Sequence, residues 1–136
     1  MRHAGWLALT ASLAVLGLGC SSHGPYAPDR PGNVLEDTAT VVLLDSGLRS
    51  EVQVSGEQMA KQEDGRLEVR AKILNCTDDL LRVQIQTEFK DGTKFSYGDV
   101  TPWEHVLLER NSTFTYSSIS LSDRAQYYTI RIKRPE

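Results

Sequence analysis

Polar and apolar positions alternate strictly in the run from Arg66 to Ile73. Leu67, Val69, Ala71 and Ile73 fall on one side, and Arg66, Glu68, Arg70 and Lys72 on the other. Successive side chains of a strand point to opposite faces, so this spacing predicts a β-strand with one buried and one wetted face. Leu81 to Phe89 repeats the pattern, with Leu81, Val83, Ile85, Thr87 and Phe89 set against Arg82, Gln84, Gln86 and Glu88. Near the end of the chain Tyr128, Ile130 and Ile132 alternate with Thr129, Arg131 and Lys133. Shorter β-prone runs are Thr40 to Leu44, Val52 with Val54, Val106 to Leu108, and Thr113 to Ile119 with Phe114 and Tyr116.

Turn residues separate these runs. Asp64-Gly65 follows a partner strand predicted over Met59 to Gln62, and such a pair accepts the positive φ angles of a tight hairpin. Asp91-Gly92 closes the next strand, and Lys94-Phe95-Ser96-Tyr97 leads away as the second arm of another hairpin. Asp45-Ser46-Gly47, Glu109 to Ser112 and Ser122-Asp123 mark the remaining reversals. Thr101-Pro102-Trp103-Glu104 has the spacing of a helix capping box, but Val106 to Asn111 is too short to continue a helix, so a loop is expected. Some seven short strands with turn signals about every 8 to 12 residues predict an all-β, immunoglobulin-like antiparallel sandwich over residues 40–134.

The amino terminus has a different character. Met1-Arg2-His3 precedes an apolar run from Ala4 to Gly19, which is the charged and hydrophobic order of an export signal. A membrane-crossing helix needs about 20 apolar residues, and this run is shorter and ends in Gly17-Leu18-Gly19. Cys20 follows, and the segment 1–19 resembles a bacterial lipoprotein signal in which this cysteine becomes the first mature residue. A thiolate is the nucleophile that can accept a diacylglyceryl group, and two or more acyl chains anchor stably. Ser21 and Ser22 put no Asp after the cysteine, which resembles the lipoproteins passed on to the outer membrane. Residues 20–39 then carry Pro25, Pro28 and Pro31 with Gly24 and Gly32, the composition of a semi-rigid tether. His23 and Tyr26 lie within it, and His23 reads as a solvated linker residue.

Composition narrows the chemistry. The 136 residues include 15 basic and 18 acidic side chains and a net charge of -3, so there is no general basic field to attract nucleic acid. The chain has two cysteines, and acylation of Cys20 leaves Cys76 as an odd thiol, either packed at a strand end or available for a mixed disulfide. Asn75-Cys76-Thr77 and Asn111-Ser112-Thr113 match the glycosylation sequon and read as turn chemistry. No nucleophile elbow, phosphate-binding glycine loop or zinc motif occurs, and His105 is the one histidine beyond the tether. The carboxylates of Glu63-Asp64, Asp78-Asp79 and Asp91 sit at turns, where such groups usually shape the backbone. No catalytic residue, metal site or cofactor is therefore expected.

Three features together resemble a known family: the lipoprotein cysteine, the Leu74-Asn75-Cys76-Thr77 element leading to a strand that ends Thr87-Glu88-Phe89-Lys90-Asp91-Gly92, and Trp103 followed by Asn111-Ser112-Thr113. This is similar to the YcfL family of small bacterial envelope lipoproteins. The resemblance implies an immunoglobulin-like sandwich without known enzyme activity, with a hint of linkage to peptidoglycan synthesis. The expectation is a non-catalytic lipoprotein, held by its lipid on the periplasmic face of the outer membrane, that contacts an envelope protein or peptidoglycan. Trp103, beside Pro102 and flanked by Tyr97 and His105, is the candidate binding element, because Trp is enriched among interface anchors. Carbohydrate or peptide binding, and a purely structural role in envelope assembly, are the alternatives.

Overall fold

Alternation becomes burial wherever the sequence shows it. In the structure, a computed structural model that describes residues 39–136, Leu67, Val69, Ala71 and Ile73 are all buried, as are Val83, Ile85, Thr87 and Phe89. Segments 1–19 and 20–38, with Cys20, lie outside the described residues. The strands are β1 (Val41–Leu43), β2 (Val52–Lys61), β3 (Leu67–Asn75), β4 (Leu81–Lys90), β5 (Ser96–Val100), β6 (Glu104–Leu108), β7 (Thr113–Ile119) and β8 (Tyr127–Lys133). A 3₁₀ turn, Ser46–Ser50, follows β1, and the Asp45 carboxylate caps it by accepting from the Gly47 N–H at 2.9 Å.

The strands form two sheets, one ordered β1-β8-β4-β5 with β6 also on β4, the other β2-β3-β7. Their inner rows meet in one core that includes Phe89, Ile85, Ile73, Ile130 and Ile132. The protein is an all-β sandwich of eight strands among the described residues. One pairing departs from the antiparallel expectation. β1 runs parallel to β8, with Val41 opposite Ile130 and Leu43 opposite Ile132. A parallel pair needs a long connection, and here the whole domain supplies it.

Two polar ties cross the core. The Thr87 hydroxyl on β4 lies 2.9 Å from the Tyr116 hydroxyl on β7 and accepts from Ser118 Oγ at 2.8 Å, so these buried hydroxyl groups are satisfied between the sheets. Asn75, fully buried, ties the end of β3 to β6 by donating to the Leu108 carbonyl at 2.9 Å.

Turn chemistry differs in detail from the expected. In the β2–β3 turn only Gly65 has a positive φ (84°), because the Gln62 N–H donates to Arg66 O and the Gly65 N–H to Gln62 O, making a bulged turn with one left-handed residue. In the β4–β5 turn the left-handed residue is Lys94 (φ 67°), not Gly92. The glycine serves space instead: a Cβ there would stand 3.0 Å from Gln126 Oε1. The Asp91 carboxylate accepts from Thr93 Oγ1 (2.6 Å), the Thr93 N–H (2.9 Å) and the Phe95 N–H (3.3 Å), and the Thr93 bonds hold its pKa below the usual carboxylate range.

β2 changes role part-way. Its register slips between Val54 and Gly56, and beyond that bulge Glu57, Met59 and Lys61 stand opposite the buried Ala71, Val69 and Leu67. All three are exposed, so this half of β2 leaves the core. Lys61 Nζ donates to the carbonyls of Gly65 (3.0 Å), Asp123 (3.1 Å) and Ala125 (2.5 Å), fastening the β2–β3 turn to the β7–β8 connection.

Candidate binding surface

β5 and β6 form one interrupted edge. Both pair antiparallel with β4 on the side away from β8: Ser96 opposite Lys90, Val100 opposite Glu88, Glu104 opposite Ile85 and Leu108 opposite Leu81. Between them Pro102 lacks an N–H, and the ladder passes through Thr101. Its N–H donates to Thr87 O, its hydroxyl accepts from the Thr87 N–H, and its carbonyl accepts from Gln86 Nε2. Proline is tolerated in a sheet at such edge breaks. Of the loop expected at Thr101-Pro102-Trp103-Glu104 the first three residues are irregular, and strand resumes one residue earlier than expected, at Glu104.

Period two then sorts the side chains of β6. Val106 and Leu108 are buried, whereas His105 and Leu107 are exposed on the outer face, Leu107 at 56%. Trp103 has the same parity and is half-buried, with Lys133 Nζ 4.9 Å from its ring centroid. Trp103, His105 and Leu107 thus form a stripe along the outer edge of the larger sheet. Behind it stand Gln84, whose Nε2 lies 3.0 Å from His105 Nε2, and the Arg131–Glu88 pair at 2.5 Å, itself bonded to Gln86. The arrangement offers an aromatic ring, an imidazole and an exposed aliphatic group above a row of amides and charges. It suits the capture of an extended polar chain.

Tyr97 does not join this stripe. It packs against the core, and Ser96 beside it pairs with Lys90, six residues along β4 from the partner of His105, or about 20 Å at the rise of a strand. Its hydroxyl donates to Asp99 Oδ2 at 3.0 Å, and that buried oxygen also accepts from the Leu121 N–H at 2.8 Å. The Arg124 guanidinium lies 4.5 Å from the Tyr97 ring centroid. Burial, followed by the Asp99 carboxylate, raises the Tyr97 pKa above its ordinary value. The cluster braces the β7–β8 connection.

A second feature, absent from the sequence expectations, is a cleft of about 230 Å³ lined by Thr40, Glu57, Gln58, Met59, Tyr127 and Tyr128. Glu57 accepts from the Tyr128 hydroxyl at 3.1 Å and from the Thr40 hydroxyl, tying β2 to the β1–β8 edge. Burial, reinforced by the Glu57 charge, pushes the Tyr128 pKa up to about 12. The signal available in the sequence was the isolated Gly56, which marks a bulge and brings Glu57 into the inner row. A depression of about 580 Å³ lies over that same bulge between Gln58, Arg70, Lys72 and Thr115, and carries no aromatic ring.

The Tyr128 tie has a defined pH signature. The neutral phenol donates to Glu57, so its folded pKa lies above the unfolded value near 10, and its contribution is intact below about pH 10 and lost between about 10 and 12. At about 1.4 kcal/mol per decade, urea unfolding should show roughly 2 kcal/mol lost across that interval. Tyr128→Phe should cost about 1 kcal/mol at neutral pH and flatten the alkaline decline. An equally steep decline in the variant would remove Tyr128 as its source.

Cys76 is half-buried and disulfide-bonded, and its N–H donates to the Glu51 carbonyl at 2.8 Å. No family model matches the sequence, and no curated protein does. Solved structures do match. The cj0090 protein of Campylobacter jejuni is 19% identical with a TM-score of 0.58, over 71% of this chain and 98% of that one. A DUF1425 family member from Shewanella sp. pv-4 is 18% identical with a TM-score of 0.54, over 62% of this chain and 79% of that one. What is shared is the fold. Both neighbours are bacterial proteins, and a β-sandwich of this form spans nearly the whole of the first.

Proposed function

We propose that this chain is an exported, lipid-anchored, non-catalytic contact module of a bacterial envelope, facing the periplasm from the outer membrane. Its contacts are with an envelope protein or the cell wall, in keeping with the YcfL resemblance and its hint of peptidoglycan maintenance. The observation that carries the contact role is the Trp103–His105–Leu107 stripe, three side chains held outward at strand spacing on a braced edge. Export is supported by the apolar run before Cys20. A carbohydrate is the second reading, favoured by the Trp103 ring beside the Gln84 and Gln86 amides, though Lys133 already lies against that ring.

The sulfur of Cys20 can serve one covalent role. As a diacylglyceryl thioether it is closed to Cys76, so with two cysteines in the sequence the lipid and a disulfide within one chain exclude each other. Labelled palmitate should enter the wild type and not a Cys20→Ala variant. Absence of label, with an intact mass showing both sulfurs joined in one chain, would end the anchoring proposal and leave export standing. A photo-crosslinking residue at Leu107 should trap an envelope protein or a glycan strand in intact cells. No adduct, together with turnover of cell-wall material by the purified protein, would replace the contact role with an enzymatic one.

A further inference from the structure

The two sheets have four edges among the described residues, and three of them are blunted. β1 is three residues long. The β5–β6 edge is broken at Pro102 and shifts register between Glu88 and Lys90. β2 has a bulge and carries Glu57 and Lys61 in its inner row, the inward charges that keep sheet edges apart. β7 has none of these devices. Thr113 to Ile119 contains no charge, proline or glycine, and its seven pairs with β3 run without a shift.

The phase of the free groups follows from the bonds at its ends. The Asn75 N–H donates to Ser112 O at 3.0 Å and the Ser120 N–H to Leu67 O at 2.9 Å, so even-numbered residues from 112 to 120 bond β3. The N–H and C=O groups of Thr113, Thr115, Ser117 and Ile119 therefore face away from the sheet, and the side chains of these residues are exposed.

We propose that β7 is the interface for a second copy of this chain, joined antiparallel about a twofold axis at Tyr116 to make one six-stranded sheet. In that register Thr115 meets the second copy's Ser117 and Thr113 meets its Ile119. Each of these is a pair of outward-bonding residues, so every free group along the strand gains a partner. No charge opposes a like charge, and β-branched and hydroxyl pairs are the favourable cross-strand kind. The second copy is the occupant because β7 is itself a strand of the right length, neutrality and bonding phase, and a twofold contact requires that self-complementarity.

Native mass spectrometry and sedimentation of the full chain, purified after export, should give a concentration-dependent dimer. Thr115→Pro removes an outward N–H without touching the bonds to β3. With two hydrogen bonds lost by symmetry, it should weaken the dimer at least about tenfold while leaving far-ultraviolet dichroism unchanged. A variant carrying Thr115→Lys with Ser117→Lys, and one carrying Thr115→Glu with Ser117→Glu, should each be monomeric and should form a mixed dimer when combined. A wild-type chain that stays monomeric, even one that captures another protein along β7, overturns the proposal. So does a dimer that survives both charged variants.

Discussion

Phe89→Ala is expected to remove about 3–5 kcal/mol of stability, the largest effect of any apolar truncation in this domain. Phe89 is the bulkiest of the fully buried side chains, and it stands on β4 opposite Tyr128 of β8. The strand is paired on both sides, so its backbone cannot move to close the void, and the cavity cost adds to the lost transfer energy. Domains of this size hold about 5–15 kcal/mol in all, so the variant should unfold at a much lower urea concentration with an unchanged slope. Phe95, six residues on, supplies the control. It is 72% exposed beyond the β4–β5 turn, and Phe95→Ala should shift stability by less than about 0.5 kcal/mol. Equal losses at the two positions would mean that the buried row of β4 has been assigned wrongly.

That contrast shows how the fold can be read. β3, β4 and β8 were legible because each buries one face over its whole length, so a period of two survives in the sequence. β2 was legible only as Val52 with Val54 and as a short partner strand over Met59 to Gln62, since the bulge at Gly56 reverses its parity and interrupts the pattern. The β1–β8 pairing joins the two ends of the domain and leaves no local trace, because Val41 to Leu43 would look the same in an antiparallel ladder. Dipeptides told where the turns are but not which residue bears the strain. Asp91-Gly92 marked a hairpin turn, yet Lys94 takes the left-handed position and Gly92 makes room for Gln126.

The surface was legible to the same degree. Trp103 and His105 were chosen as neighbours in the chain, and strand geometry aligns them on one face. Tyr97 was chosen on the same ground and is turned inward to Asp99, because the break at Pro102 separates β5 from β6 and adds residues to the edge. Leu107 was passed over as part of an apolar run, and only the burial of Val106 and Leu108 shows that it faces outward. Glu57 and Tyr128 are 71 residues apart, and no spacing rule connects them.

Asn75→Ala is expected to cost about 3–4 kcal/mol, unusual for an asparagine at a turn. Its amide is fully buried and fully used. Nδ2 donates to Leu108 O (2.9 Å) and Asp79 O (2.8 Å), and Oδ1 accepts from the Thr77 N–H (2.9 Å) and Thr77 Oγ1 (2.8 Å). One side chain therefore fixes the β3–β4 connection to the end of β6, and removing it leaves the buried Leu108 carbonyl without its donor and frees the Thr77 and Asp79 groups at the more open turn. The same geometry explains the sequon: a nitrogen donating to two carbonyls inside the fold is not available to an oligosaccharide. Asn75→Asp separates bonding from packing, since it keeps the shape but aims a carboxylate at two carbonyl oxygens. Its folded pKa must rise, so its stability should recover as pH falls and the acid regains a proton to donate. The alanine variant, with nothing to protonate, should show no such recovery. Matching pH profiles for the two variants would assign the loss to the cavity and not to the hydrogen bonds.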